Sequence, residues 1–283
     1  MAASFIFAAF AGRNAAFAPR PKRGAVLADV TSANIVGYQT ITAPTAGHYI
    51  TLAVKFSNLG ETKNFTVNTL FTYTNPAKAA GYGTAADQIW LWDPTLNDGA
   101  GSWAKFYYSQ FKNGFVSSTQ GGPTAPLATT PVEPGATILF FRGSSGALAS
   151  TMTLSGGVEP LKGSMMHTVA NGKYKFICYP WPVEFNVNKI ATCQKSPAKA
   201  AGYGTAADQI WLWDQTLNDG AGSWAKYYYS QFKSGYVPST QGGPTAQLAN
   251  VPIPAGEGFL FFRGSAGAGD ETITFKGPDY VEE

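Results

Sequence analysis

The sequence is poor in charged, cysteine and histidine residues. Charged residues make up 13% of the 283 positions, and there are only two cysteines and two histidines. Low charge together with 45% hydrophobic residues excludes a disordered chain. Two cysteines without a companion histidine pair make a poor zinc site. The histidines, His48 and His167, do not recur at one aligned position, and no acid–base pair suited to catalysis accompanies them, so we predict no enzyme.

The chain also lacks a long apolar run and a strongly charged body. No run reaches the roughly 20 residues of a membrane-spanning helix, so we predict no membrane span. The net charge of +3 arises at the start of the chain, because four of the 20 basic residues precede the first acid, Asp29. The remaining sixteen basic and seventeen acidic residues nearly cancel. A near-neutral body argues against a nucleic-acid partner and favours association with like surfaces.

Residues 2–11 form an Ala/Phe-rich apolar run with the length of a signal peptide, followed by small-x-small sites that end at Ala18 and Ala28. No basic stretch precedes the run, so the leader is irregular. We predict an export signal or leader over residues 1–28, with a buried strand or a mobile tail as the alternatives. Export would place the protein outside the cell or on the cell surface.

Cys178 and Cys193 both lie in the second half of the chain. In an exported protein they would form one disulfide that closes a short loop. The other interpretation is two buried free thiols, and the sequence does not decide between them. The first half has no counterpart, so a disulfide would not be a general feature of the fold.

One stretch occurs twice, from Pro76 to about Gly146 and from Pro197 to about Gly267, at an offset of 121 residues without a gap. Between Pro76 and Ala125 five positions differ from their counterparts. These are Pro94/Gln215, Phe106/Tyr227, Asn113/Ser234, Phe115/Tyr236 and Ser117/Pro238. The alternating pattern of residues 151–155 recurs at 272–276, so the whole half is duplicated. We predict two domains, over residues 29–160 and 161–283.

Short β-branched and aromatic runs separated by turn-forming residues predict an all-β chain. No window of 11–18 residues has a sustained helical apolar period. We therefore predict two tandem antiparallel β-sandwich domains related by internal duplication. Residues 34–43 and 48–56 are expected to pair as one hairpin, and residues 87–92 and 103–111 as another. Alternation in the second hairpin places Ile89 and Leu91 on one face and Trp90 and Trp92 on the other.

Aromatic side chains are concentrated in the repeated stretch, which holds six of the seven tryptophans. An exposed Trp- and Tyr-bearing face would stack on sugar rings or form a protein interface. The alternative is that the rings belong to the core, and alternation predicts that about half of them do. The interface or glycan-stacking candidates are Trp90, Trp92, Trp103, Tyr108, Trp211, Trp213, Trp224 and Tyr229.

Two other motifs carry weaker signals. Residues 81–86 match the Gly-x-Gly-x-x-Ala dinucleotide pattern by letter, but a strand is expected to follow, so we interpret them as a glycine loop. Oxygen-bearing side chains in the hairpin loop are calcium candidates, although their spacing is not that of an EF-hand and Asx turns explain them as well. They are Asp93, Asn97, Asp98, Asp214, Asn218 and Asp219. We predict no cofactor.

Three short patterns carry a resemblance: residues 34–40, residues 87–93, and Leu139-Phe-Phe-Arg142-Gly, which recurs at residues 260–264. They resemble a loosely defined group of uncharacterised secreted bacterial β-rich proteins. The resemblance implies export and a surface or extracellular role, and it supplies no catalytic residues.

These observations predict a non-enzymatic extracellular structural protein that assembles with itself into a fibre or surface layer. Two like domains in one chain offer a head-to-tail contact that does not need to close. The alternative is a carbohydrate-binding tandem module that uses Trp and Tyr stacking. Two similar sites would then gain avidity on a polysaccharide.

Overall fold

The computed structural model describes residues 4–7, 36–58, 64–146, 148–158, 163–218 and 221–277. The described chain is nearly all β, its strand ladders are antiparallel, and it includes one short helix. The prediction of an all-β chain is therefore confirmed. The predicted leader, residues 1–28, lies outside the described residues except for positions 4–7.

The first half, up to residue 158, contains the strands β1 to β12. Their bounds are β1 Ser4–Phe7, β2 Val36–Thr42, β3 Tyr49–Ala53, β4 Phe56–Ser57, β5 Phe65–Thr66, β6 Thr72–Tyr73, β7 Gln88–Asp93, β8 Ser102–Ser109, β9 Gly114–Ser117, β10 Pro131–Val132, β11 Thr137–Phe141 and β12 Thr151–Val158. Strands β3-β11-β7-β8-β9 form a five-stranded sheet, and β1-β2-β12-β4 form a second sheet in which β6 also pairs with β12. Strands β5 and β10 form a small separate pair.

The second half, from residue 163, contains β13 to β21 and helix α1. Their bounds are β13 Ser164–Val169, β14 Tyr174–Cys178, β15 Phe185–Asn186, α1 Val187–Cys193, β16 Gln209–Asp214, β17 Ser223–Ser230, β18 Gly235–Pro238, β19 Pro252–Ile253, β20 Gly258–Phe262 and β21 Glu271–Lys276. Strands β14-β20-β16-β17-β18 form a five-stranded sheet in the same order as β3-β11-β7-β8-β9. Strands β13 and β21 pair as β2 and β12 do.

The aromatic hairpin forms in both halves with the same register. Strands β7 and β8 pair so that Trp92 lies opposite Trp103, and β16 and β17 pair so that Trp213 lies opposite Trp224. The loop between β7 and β8 is rich in Asn, Asp and Gly, and Asn97 and Asp98 adopt the left-handed conformation that these residues tolerate. The predicted pairing of this hairpin is confirmed.

The other predicted hairpin is wrong. Strand β2 pairs with β1 and β12, whereas β3 pairs with β11. The connection between β2 and β3 passes from one sheet to the other, so the two strands face each other across the core. Ile41 of β2 and Ile50 and Leu52 of β3 then pack into one core from its two layers.

Each half has its own core between two layers of strands. In the first half, Ile89, Ile138 and Phe140 of the five-stranded sheet pack with Met152 and Leu154 of β12. In the second half, the corresponding core contains Ile210, Phe259 and Phe261 with Ile273 and Phe275 of β21. Alternation along each strand directs the tryptophans to the opposite face of the five-stranded sheet. Residues of the same half cover one end of this face, where Tyr107 and Val116 pack with Ala86 and Ala125.

Helix α1 lies where the two halves have diverged in sequence. Its N-cap Asn186 accepts a hydrogen bond from the backbone of Asn188, and Val187 and Ile190 are buried. Seven residues are too few for a helical apolar period to stand out, which explains why the sequence did not reveal it. Within the described part of the chain, no helix has the length and apolar character needed to cross a membrane.

Candidate functional site

The tryptophan-bearing faces of the two five-stranded sheets pack against each other. We call this contact the aromatic cluster; it consists of Tyr49, Trp90, Trp92, Trp103 and Leu139 from the first half with Tyr174, Phe176, Trp211, Trp213, Trp224 and Leu260 from the second. Leu139, Phe176 and Leu260 are buried, while the tryptophans and tyrosines are half-buried. The tryptophan-bearing face, for which the sequence predicted a sugar or another protein as partner, therefore contacts the other half of the same chain.

Reciprocal hydrogen bonds cross the aromatic cluster. The Nε1 of Trp92 donates to the carbonyl of Tyr174 at 2.9 Å, and the Nε1 of Trp213 donates to the carbonyl of Tyr49 at 3.1 Å. The ring centroids of the same pairs lie 5.6 Å and 5.5 Å apart in edge-to-face contact. Tyr49 and Tyr174 occupy matching places, because each pairs with the last residue of its neighbouring strand, β11 or β20. The same tryptophan–tyrosine contact thus occurs twice between the two halves.

Two other tryptophans of the cluster carry a cation over their rings. The ammonium of Lys105 lies 3.9 Å from a ring centroid of Trp90, and that of Lys226 lies 4.0 Å from Trp211. Such cation–π contacts contribute about 0.5–1 kcal/mol at partly exposed sites. A sugar stacking on Trp90 or Trp211 would have to displace the lysine, so glycan binding through these two rings stays a prediction without structural support.

Tyr108 and Tyr229 lie apart from the other six candidates. Alternation along β8 directs Trp103 to the aromatic cluster and Tyr108 to the core of its own half, where its ring packs 5.1 Å from Phe115. Tyr229 is likewise in the core of the second half, 5% exposed. The structure therefore brings together the six tryptophans and excludes the two tyrosines.

Two of the six calcium candidates, Asp93 and Asp214, form loop turns. The carboxylate of Asp93 accepts hydrogen bonds from the amide and the hydroxyl of Thr95, and Asp214 does the same with Thr216. This is the Asx turn that the sequence offered as the alternative. The remaining candidates are Asn97, Asp98 and Asn218, which are exposed, and Asp219, which is outside the described residues. Among the described residues, no group of three or more His, Cys, Asp and Glu side chains could hold a metal ion.

Cys178 and Cys193 are both free thiols in the structure, and only Cys178 is fully buried. They belong to different elements: Cys178 is buried at the end of β14, and Cys193, at the end of α1, is half-buried with its Sγ 3.4 Å from the carbonyl of Lys189. Burial raises the pKa of the Cys178 thiol to about 12, although the nearby Lys55 ammonium opposes the rise. Cys178 is therefore protonated and unreactive at neutral pH.

A buried ion pair closes one end of each five-stranded sheet, and the sequence analysis missed it. In the first half, Nη1 of Arg142 lies 2.7 Å from the Asp87 carboxylate, and both side chains are almost fully buried. That carboxylate also accepts hydrogen bonds from the amides of Ala77 and Gly143 and from the hydroxyl of Tyr73. Burial raises the pKa of the Asp87 carboxyl, and these donors and the guanidinium oppose the rise.

The second half repeats the pair with different neighbours. Arg263 contacts Asp208 at 3.0 Å and also Glu271 at 3.4 Å, and the amide of Gln194 replaces the tyrosine hydroxyl as a donor to Asp208. A signal for this pair was present: Arg142 and Arg263 are the only arginines after position 23, and both recur with a repeated aspartate. The carboxylates of Asp87 and Asp208 thus stabilise one end of each five-stranded sheet.

A cleft of about 790 Å³ opens between the halves along β3, which is the edge strand of its sheet. One wall consists of residues of β2 and β3, including Gln39, Ile41 and Thr51. The other wall comes from the ends of β16 and β17 and the turn before β20, including Trp213 and Glu257. Its volume falls in the range of small-molecule sites, about 300–1,000 Å³. Sequence reasoning could not find it, because its walls come from both halves.

We predict that Trp213→Ala weakens the contact between the halves. The substitution removes the edge-to-face contact with Tyr49 and the hydrogen bond to its carbonyl, and it should lower the free energy of unfolding by about 2 kcal/mol, less than for a fully buried tryptophan. Trp92→Ala is the matched variant and should cost a similar amount. Urea denaturation monitored by circular dichroism measures both, and a change below about 0.5 kcal/mol would contradict the assigned contact.

Comparison of the chain with protein-family models, with curated proteins and with solved structures gives no match, so the resemblance to secreted β-rich proteins stays a prediction.

Proposed function

We propose that the chain consists of two tandem β-sandwich domains, over residues 29–160 and 161–283, related by internal duplication. We further propose that it is a non-enzymatic, extracellular structural protein that assembles with itself. The recurrence of one sheet order in both halves supports the duplication. The repeated acids support a structural role, since Asp87 and Asp208 form buried ion pairs and Asp93 and Asp214 form loop turns.

The observation that carries the assembly proposal is the edge of β13. In the first half, β2 pairs on one side with β12 and on the other with β1. In the described chain, β13 pairs with β21 alone. Its Met166 side chain is 67% exposed. An unpaired edge with an exposed apolar side chain is a template for another strand.

Removal of the predicted leader would also remove β1, since Ser4–Phe7 lies within residues 1–28. The mature chain would then present two similar edges, β2 and β13, one in each half. Pairing β2 of one copy with β13 of the next is a heterologous contact, which extends into a filament when the rotation between copies does not close a ring. The proposed partner is therefore a second copy of this chain.

The test compares the full chain with a chain that begins at Asp29. We expect the shorter chain to form filaments at high concentration, visible by negative-stain electron microscopy, and the full chain to form fewer. Met166→Lys places a charge on the edge and should reduce assembly. The matched control is Leu148→Lys, which introduces the same charge at a 66% exposed leucine in a loop. A monodisperse monomer for both chain lengths would refute the proposal.

A further inference from the structure

Charged side chains at the surface of the first half are separated between the two ends of its five-stranded sheet. Lys78 and Lys112 lie at the end where β8 turns into β9. In the described part of this half, the acids other than the buried Asp87 lie at the opposite end, where β7 ends and β11 begins. They are Asp93, Asp98 and Glu133. The turn between β8 and β9 therefore lies at a positively charged end of the sheet.

Two large apolar side chains are exposed at the same turn. Phe111 is 45% exposed within the turn, and Leu127 is 45% exposed beside it, where a Cβ atom added to Gly114 would lie 2.7 Å from Cδ2 of Leu127. The Nζ of Lys78 donates a hydrogen bond of 2.7 Å to Oδ1 of Asn113 in this turn. These contacts define one surface, which we call the basic apolar patch. It consists of Lys78, Phe111, Lys112 and Leu127.

The basic apolar patch recurs in the second half, at the turn between β17 and β18. Its members there are Lys199, Phe232, Lys233 and Leu248. Phe232 is again 45% exposed, and Leu248 is 49% exposed. Single exposed apolar residues are ordinary on a protein surface, but the same pair beside the same two lysines in both halves indicates a contact outside the chain.

The lysines of both patches keep their charge available. Among the described residues, none of the four lysines forms an ion pair. Two acids of the second half approach these ends of the sheets but lie away from the patches. Asp270 follows β20, two strands from β17, and the loop after Asp214 contacts the first half at Tyr49 of β3, three strands from β8. Each patch is therefore suited to a negatively charged partner.

The two patches lie at opposite ends of the packed sheets. Trp92, near the end of β7, contacts Tyr174 at the start of β14, and Trp213 contacts Tyr49 in the same reversed way. The start of β14 and the turn between β17 and β18 lie at the same end of the second sheet. The patch-bearing ends of the two sheets thus point in opposite directions, so one molecule can contact two separate surfaces.

The side chains of the patch fit the surface of an anionic lipid bilayer. Each lysine close to such a surface strengthens binding about fivefold. Phe and Leu side chains have no hydrogen-bonding group, and they bury apolar surface when they enter the boundary between head groups and acyl chains. An acidic polysaccharide or a nucleic acid would satisfy the lysines but would leave the leucine of each patch against polar groups.

We propose that the two basic apolar patches bind anionic lipid bilayers peripherally. Phe111 and Leu127, with Phe232 and Leu248 in the other patch, enter the head-group region, and the lysines contact the lipid phosphates. The patches use neither β2 nor β13, so this inference does not depend on the assembly proposal.

The test mixes the full chain with phosphatidylcholine vesicles that contain about 30% phosphatidylglycerol, and separately with pure phosphatidylcholine vesicles. Co-flotation measures binding, and light scattering measures clustering of the vesicles. We expect binding to the anionic vesicles to be at least about tenfold stronger than to the neutral ones. We also expect the anionic vesicles to cluster, because each molecule carries two patches.

Variants of one and of both patches separate the two effects. Lys78→Ala with Phe111→Ser removes one patch and should abolish clustering while the other patch still binds. Adding Lys199→Ala and Phe232→Ser should weaken binding at least about tenfold. Leu96→Ser is the matched control, because Leu96 is a 39% exposed leucine at the acidic end of the first half, and it should leave binding and clustering unchanged. Circular dichroism of each variant distinguishes a lost patch from a lost fold.

Equal binding to anionic and neutral vesicles would overturn the proposal, as would full binding by the chain that lacks both patches. Clustering by the chain that lacks one patch would overturn the assignment of two opposed patches, and so would binding of the full chain without clustering. Polygalacturonate is titrated in parallel. Its binding in the absence of vesicle binding would overturn the proposal by assigning the patches to an acidic polysaccharide.

Discussion

Replacing Asp87 by alanine is expected to lower the free energy of unfolding by about 3–5 kcal/mol. The substitution leaves the buried guanidinium of Arg142 without its carboxylate and removes the acceptor for the Ala77 and Gly143 amides and the Tyr73 hydroxyl. Buried donors without acceptors cost far more than the net value of the bonds they made. Urea denaturation at pH 7 measures the loss.

The second half supplies a built-in comparison for this prediction. Asp208→Ala should cost less than Asp87→Ala, because Arg263 keeps a second carboxylate, that of Glu271. Asp98→Asn is the control for a change of charge alone, since Asp98 is exposed and asparagine tolerates its left-handed backbone, and it should change stability by less than about 0.5 kcal/mol. Equal losses for Asp87→Ala and Asp98→Asn would show that the buried pair does not hold the sheet end.

The stability of the protein is expected to fall as the pH decreases from 6.5 to 4, by about 3 kcal/mol from His167 alone. Burial lowers the pKa of His167 to about 4 from the ordinary value of 6.5, and the positive charge of Lys175 lowers it further. The unfolded chain therefore binds a proton before the folded chain does. The contribution is complete above pH 6.5 and is lost as the pH falls through this window.

The corresponding position in the first half of the chain supplies the control variant for His167. Position 41 is the counterpart of 167, because Ile41 lies opposite Met152 and His167 lies opposite Ile273. His167→Ile should therefore fit the site and remove the pH-dependent difference. Carboxylates also titrate at low pH, so the quantity to measure is the difference between wild type and variant in urea midpoint across pH 4–7. Parallel curves for the two proteins would refute the assignment.

The pairing of the two strands in the aromatic hairpin was predictable because its signals are local. Alternation of Ile89 and Leu91 with Trp90 and Trp92, followed by a loop of turn-forming residues, is enough to define two paired strands and the side chains on each face. The buried ion pair was also within reach, since the only two arginines of the body recur with a repeated aspartate.

Local sequence patterns could not predict what the tryptophan-bearing face contacts. A strand pattern tells which side chains share a face, but the same Trp-rich face would suit a sugar, another protein or the other half of the same chain. The hairpin assigned to β2 and β3 failed for a related reason, because apolar stripes pack equally well side by side or across a core.

The amino-acid sequence by itself determined the all-β character and the faces of the aromatic hairpin, because periodicity and turn chemistry act over a few residues. Only the tertiary structure decided that the tryptophans join the halves, that Cys178 and Cys193 stay apart, and that a cleft opens beside β3. The tryptophan contact and the cleft arise between residues more than 80 positions apart, such as Trp92 with Tyr174. No local pattern encodes such contacts, since they depend on how the two sheets pack.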